Sequence, residues 1–87
     1  MDVNDVVFSN EINQNFGTSD LPLAAVLSLY FPIESVNRSN PHRIEFEFEN
    51  NPRLQNILQE YLQSRLRVEP KQYFYQLKTL KARIHGE

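Results

Sequence analysis

Five prolines decide where helices can lie in this chain. Proline has no amide hydrogen and its ring clashes with the preceding turn, so a helix accepts it in the first turn and rejects it from the interior. Pro22, Pro52 and Pro70 each stand one or two residues after a polar side chain, namely Asp20, Asn51 and Glu69. Asp20 and Asn51 are good N-caps, because their oxygens accept from the free N–H groups of the first turn. Glu69 suits the positive end of a helix dipole. These junctions predict three helix starts. Phe31-Pro32 predicts a stop, since the residue before a proline is driven out of the helical region. Pro41 falls in Arg38-Ser39-Asn40-Pro41-His42, a run of turn residues. The helices are expected at about 21–31, 52–65 and 70–85.

Periodicity fills in the faces. In the first helix Leu23, Ala24, Ala25, Val26, Leu27, Leu29 and Tyr30 are apolar nearly all round. Such a helix is buried, by a sheet on one side and by helices or a partner subunit on another. The second shows a stripe of Leu54, Ile57, Leu58, Tyr61, Leu62 and Leu66, with Gln55, Asn56, Gln59, Gln63 and Ser64 facing water. The third shows Tyr73, Leu77, Leu80 and Ile84, with Gly86 able to form a left-handed cap. Between the first two helices, Ile44, Phe46 and Phe48 alternate with Glu45, Glu47 and Glu49, the period of a half-buried strand. Ile33–Asn37 is a weaker strand, and the two make a hairpin over about 33–49. A short third strand fits around 14–18, where Gly17 also allows a turn.

The fold class is therefore α+β: a small antiparallel two- to three-stranded sheet with three helices packed on it. Residues 1–15 read as a polar N-terminal arm, with a mobile arm, a short helix and an edge segment as its open alternatives. Residues 16–87 read as a single α+β domain.

Several functions are poorly served. The 87 residues hold no cysteine, which removes disulfides and thiolate metal sites. No apolar run nears the roughly 20 residues that cross a bilayer. Met1-Asp2-Val3-Asn4-Asp5 lacks the basic start of a signal peptide, so a cytoplasmic location is expected. With only Gly17 and Gly86, no glycine-rich phosphate loop can form. His42 and His85 belong to no metal-binding pair, and no serine sits in a nucleophile elbow. The chain reads as non-enzymatic, with no cofactor and no small-molecule substrate evident. Glu45, Glu47 and Glu49 share one strand face, about 6.5–7 Å apart in sequence along it. A cation site would need further converging ligands, and alternating glutamates are also the ordinary wet face of a strand.

Charge is the most suggestive feature. The net charge is −2, yet it is unevenly placed. Residues 1–37 hold Asp2, Asp5, Glu11, Asp20 and Glu34 with no lysine or arginine, whereas residues 65–83 hold six basic side chains against Glu69. The two ends either neutralise each other, within the fold or across a dimer, or the basic end meets an anionic partner. Lys71, Tyr75, Lys78, Lys81 and Arg83 are the candidate binding residues on the last helix. Its lysines also have an ordinary explanation as solvated groups near a negative helix end. The leading expectation is a protein-binding or homodimerising module that uses the first helix or the outer face of the last. The second is a weak nucleic-acid binder, whose phosphate contacts would weaken steeply with salt.

The string Thr18-x-Asp20, Leu23-Ala24-Ala25-x-Leu27, Arg43-Ile44-x-Phe46-x-Phe48 and Val68-x-Pro70-x-x-Phe74-x-x-Leu77-Lys78-x-Leu80-Lys81-x-x-Ile84 resembles a family of small prokaryotic and phage domains of unknown function. The resemblance spans about residues 16–85. It implies the same fold, no established activity, and Lys78 and Lys81 as residues to test. The chain departs from that pattern after the first helix, where Phe31-Pro32 replaces a glycine.

Overall fold

The computed structural model describes residues 15–86. Residues 1–14, which make up almost all of the expected N-terminal arm, lie outside the described residues. In chain order the elements are β1 (Asn15–Thr18), α1 (Leu21–Ser28), β2 (Ser35–Asn37), β3 (Glu45–Glu49), α2 (Pro52–Leu62) and α3 (Pro70–Gly86). They form the expected α+β domain, with a three-stranded antiparallel sheet in the order β1-β3-β2.

All three helices begin at their cap-proline junctions. Asp20 Oδ1 accepts from the Leu23 amide at 3.2 Å, and Asn51 Oδ1 accepts from the Leu54 amide at 2.9 Å. Glu69 takes the same part before α3, where its Oε1 accepts from the Gln72 amide at 2.7 Å. The ends of α1 and α2 fall short of the sequence expectation. α1 stops at Ser28, not near residue 31, because its last turn tightens. The amides of Leu29 and Tyr30 donate to carbonyls three residues back, on Val26 and Leu27. α2 stops at Leu62, not near residue 65. Ser64 takes a left-handed conformation, φ 60°, and the amides of Ser64 and Arg65 donate to the carbonyls of Tyr61 and Glu60. That bonding is the Schellman closure, with serine where glycine is usual. Gly86, expected as such a cap, is instead the last residue of α3, and no described glycine has a positive φ. Gly17 is not at a turn either; it lies inside β1, opposite Glu47.

The hairpin forms as expected, with Ser35, Val36 and Asn37 of β2 opposite Glu47, Phe46 and Glu45 of β3. β1 adds on the other edge, pairing Phe16 with Phe48 and Thr18 with Phe46. Side chains alternate across a strand. Phe46 and Phe48 therefore point to the helices together with Phe16, Thr18 and Val36, and both are almost wholly buried. One core joins these phenylalanines to Leu23, Ala24, Ala25, Leu27 and Phe31, to Leu54 of α2, and to Leu80 of α3. The Arg53 guanidinium lies 5.1 Å from the centre of the Phe31 ring and covers it from the start of α2. Leu23 through Leu27 are all buried, so the apolar girth of α1 is enclosed by the chain's own elements.

Candidate interaction face of helix α3

α3 presents two unlike sides. Side chains recur at about 100° per residue around a helix. Tyr73, Leu77, Leu80 and Ile84 fall within one arc and pack on the core. On the far side, Lys81, Phe74, His85, Lys78, Lys71, Ala82 and Tyr75 follow one another within an arc of about 120° by the same arithmetic. Every one of them is exposed. Phe74 keeps 59% and Tyr75 67% of its surface in solvent. The Lys78 ammonium stands 5.6 Å from the Phe74 ring centre, a distance suited to cation–π attraction. No acidic residue lies on α3.

Four of the five sequence candidates, Lys71, Tyr75, Lys78 and Lys81, thus share one face. Arg83 does not join them. It lies about 80° beyond Tyr75 around the helix and is half-buried. Its carbonyl accepts from Arg38 Nη2 at 2.9 Å, so the loop between β2 and β3 ties down the end of α3. A cation there also meets the negative end of the helix dipole. Phe74 was absent from both the apolar stripe and the basic arc read from the sequence. The signal was available, because Phe74 stands three residues after Lys71 and four before Lys78, which places it in the arc between Lys81 and Lys78.

A groove of about 360 Å³ runs beside this face, lined by Ser28 and Leu29 of α1 and by Lys71, Gln72, Tyr75 and Gln76 of α3. Ser28 Oγ lies 2.7 Å from the Ala25 carbonyl and 3.3 Å from Gln76 Oε1, a polar junction between α1 and α3 on the groove floor. The groove is open and holds no nucleophile next to a base. It can seat a side chain and lacks the parts of an acid–base centre.

The three strand glutamates occupy the sheet face that the helices leave free. Glu47 is the ordered one. Its Oε1 accepts from Ser35 Oγ at 2.7 Å and from Asn15 Nδ2 at 3.4 Å, and its Oε2 from Asn37 Nδ2 at 3.5 Å. Glu45 lies 3.8 Å from Arg43. Among the described residues no group of three or more histidines or carboxylates could hold a metal ion. Tyr61, on the core side of α2, has its phenol pushed above the usual tyrosine range. Burial is the main cause, followed by the negative charge of Asp20 and by Tyr73.

The model of a family described as a domain of unknown function, DUF5659, matches residues 13–86. The chain belongs to this family. The DUF5659 match takes in all six described elements, from β1 to the end of α3. It agrees with the resemblance to small domains of unknown function and assigns no activity to any residue. No curated protein and no solved structure matches the chain. Among the described residues of this DUF5659 domain, no helix is long and apolar enough to cross a membrane.

Proposed function

We propose that this domain is a non-enzymatic interaction module that binds a protein partner, a second copy of itself included, through the outer face of α3. The observation that carries this reading is the exposure of Phe74 and Tyr75, 59% and 67%, among three lysines. Burying large aromatic side chains is favourable, and aromatic residues are enriched at the cores of protein interfaces. The alternative use of α1 is disfavoured, because Leu23 to Leu27 are buried inside the chain. Its setting is, in our reading, the cytoplasm of a prokaryote or the host of a phage; the absence of cysteine and the motif resemblance support this.

The same face supports a second reading, since lysines can contact phosphates and the aromatic rings can stack on bases. Size-exclusion chromatography with light scattering separates the two. It is run with and without a pool of short single- and double-stranded oligonucleotides, on the wild type and on Phe74→Ser with Tyr75→Ser. Association that ignores oligonucleotides and disappears in the double variant is the expected result. A mass shift seen only with oligonucleotides, at low salt, would replace the interaction module with a nucleic-acid binder. Lys78→Glu with Lys81→Glu should then abolish that shift.

A further inference from the structure

The chain carries its own electrostatic complement to the α3 face. The helices take the phenylalanine side of the sheet, and Glu45, Glu47 and Glu49 stand on the other. Around them Asn15, Gly17 and Ser35 are exposed, as is Glu49 itself. Ser35, Asn15 and Asn37 hold Glu47 in place with neutral donors, so the carboxylate is positioned without a cation against it. Gly17 has no side chain, and the Glu45 carboxylate leans over it. A Cβ at Gly17 would come within 3.0 Å of Glu45 Oε1. Negative charge therefore spreads from β3 over β1. Arg43 offsets part of it through one exposed contact, of the kind that contributes little.

The two patches match in length and sign. Glu45 to Glu49 are four residue steps apart along the strand, a row of about 13 Å. Lys71 and Lys81 are ten residue steps apart along the helix, about 15 Å. Both elements turn their apolar sides to the same core, so the two patches look outward in different directions. One molecule cannot bring its own patches together.

We infer that the outer face of α3 docks on the Glu45–Glu47–Glu49 sheet face of a second copy of this chain, joining copies head to tail. This rests on the reading of α3 as a binding face and names its occupant. A contact between two different patches leaves a free patch at each end, so the assembly grows with concentration and does not close as a two-fold dimer. The charged pairs of this contact surround Phe74 and Tyr75, are exposed, and are screened by salt over about 10 Å at 0.1 M and about 3 Å at 1 M.

Sedimentation velocity over a range of concentrations tests the inference. Three chains are compared: the wild type; a helix variant with Lys71→Glu, Lys78→Glu and Lys81→Glu; and a sheet variant with Glu45→Gln, Glu47→Gln and Glu49→Gln. Glutamine keeps the shape and hydrogen-bonding oxygen of glutamate, and circular dichroism verifies that each variant is folded. The wild type should grow in mass with concentration at low salt and sediment as single chains near 1 M salt. Each variant alone should self-associate at least about tenfold more weakly, a factor equal to about 1.4 kcal/mol. Mixed together, the variants share one native contact, the lysine helix of one on the glutamate sheet of the other. They should form pairs that grow no further. A wild type that stays single at low salt overturns the inference. So does a sheet variant that assembles like the wild type while the helix variant does not; in that case α3 remains a binding face with a different occupant. If neither variant changes the assembly, the α3 reading fails as well.

Discussion

At the scale of single residues, the helix ends carry the clearest consequences. Asn51 satisfies the Leu54 amide at 2.9 Å, and Asn51→Ala should lower stability by about 1 kcal/mol. For a domain of this size that corresponds to roughly 4–8 °C in the melting temperature. Ser64 acts in the opposite sense. At φ 60° a side chain crowds the following carbonyl, at a cost of about 1 kcal/mol that glycine avoids. Ser64→Gly should therefore raise the melting temperature by several degrees, and an unchanged or lower value would rule out strain at that position. Tyr61 adds a pH dependence. Its phenol is raised by burial, so the folded chain holds the proton to a higher pH than the unfolded chain, which releases it near 10. Below that pH both states are protonated and Tyr61 contributes no slope. Above it the unfolded state binds fewer protons, and stability falls as pH rises. Urea midpoints between about pH 9 and about pH 11 should fall less for Tyr61→Phe than for the wild type. The caps were legible in the sequence because Asn and Asp before a proline have one favoured use. Ser64 was not, since nothing local marks a serine as left-handed; the closure comes from where α2 must stop for the chain to reach α3.

At the scale of elements, α3 separates stability from binding. Leu80 is 1% exposed and belongs to the core, so Leu80→Ala should cost about 2–5 kcal/mol. Phe74 is an aromatic residue of the same helix, yet Phe74→Ser should stay within about 0.5 kcal/mol of wild type, as for most surface substitutions. Denaturant midpoints of the two variants check both values. A large loss on Phe74→Ser would mean that Phe74 supports the fold, and its exposure would lose its functional meaning. α2, α3 and the central strand were legible because their apolar residues repeat at about 3.6 and 2 residues, whereas α1, apolar nearly all round, was legible from Asp20, Pro22 and the Phe31-Pro32 stop. The position of Phe74 was written in the same period, but a phenylalanine among lysines belongs to neither an apolar stripe nor a charged arc when the two are counted separately. β1 was legible only as a short candidate. Four residues carry little periodicity, and their place at the edge of β3 depends on Phe16 and Thr18 meeting Phe48 and Phe46 across the sheet.

At the scale of the whole molecule, the sequence left open whether a partner subunit covers α1. Among the described residues Leu23 to Leu27 of α1 are buried against β1, β3, α2 and α3. The sequence could not supply that packing, because an all-round apolar helix demands cover without naming it. The consequence is a single cooperative unit. Phe46 and Phe48 of the sheet, Leu27 of α1, Leu54 of α2 and Leu80 of α3 are the large side chains that are almost wholly enclosed, and they lie in one cluster. Among the described residues no element has a second core to fall back on, and a three-stranded sheet with one wet face has little stability alone. Loosening α3 should therefore loosen the sheet. In Leu80→Ala, tyrosine fluorescence and far-ultraviolet circular dichroism should give one coincident urea transition, the mark of two-state unfolding. Under native conditions the most protected amides of β3 and α3 should lose protection by the same free energy, because both exchange through the same global opening. If α3 amides lost protection while those of Phe46 and Phe48 kept theirs, α3 would be an appendage to a self-sufficient sheet and helix pair, and the single-core description would be wrong.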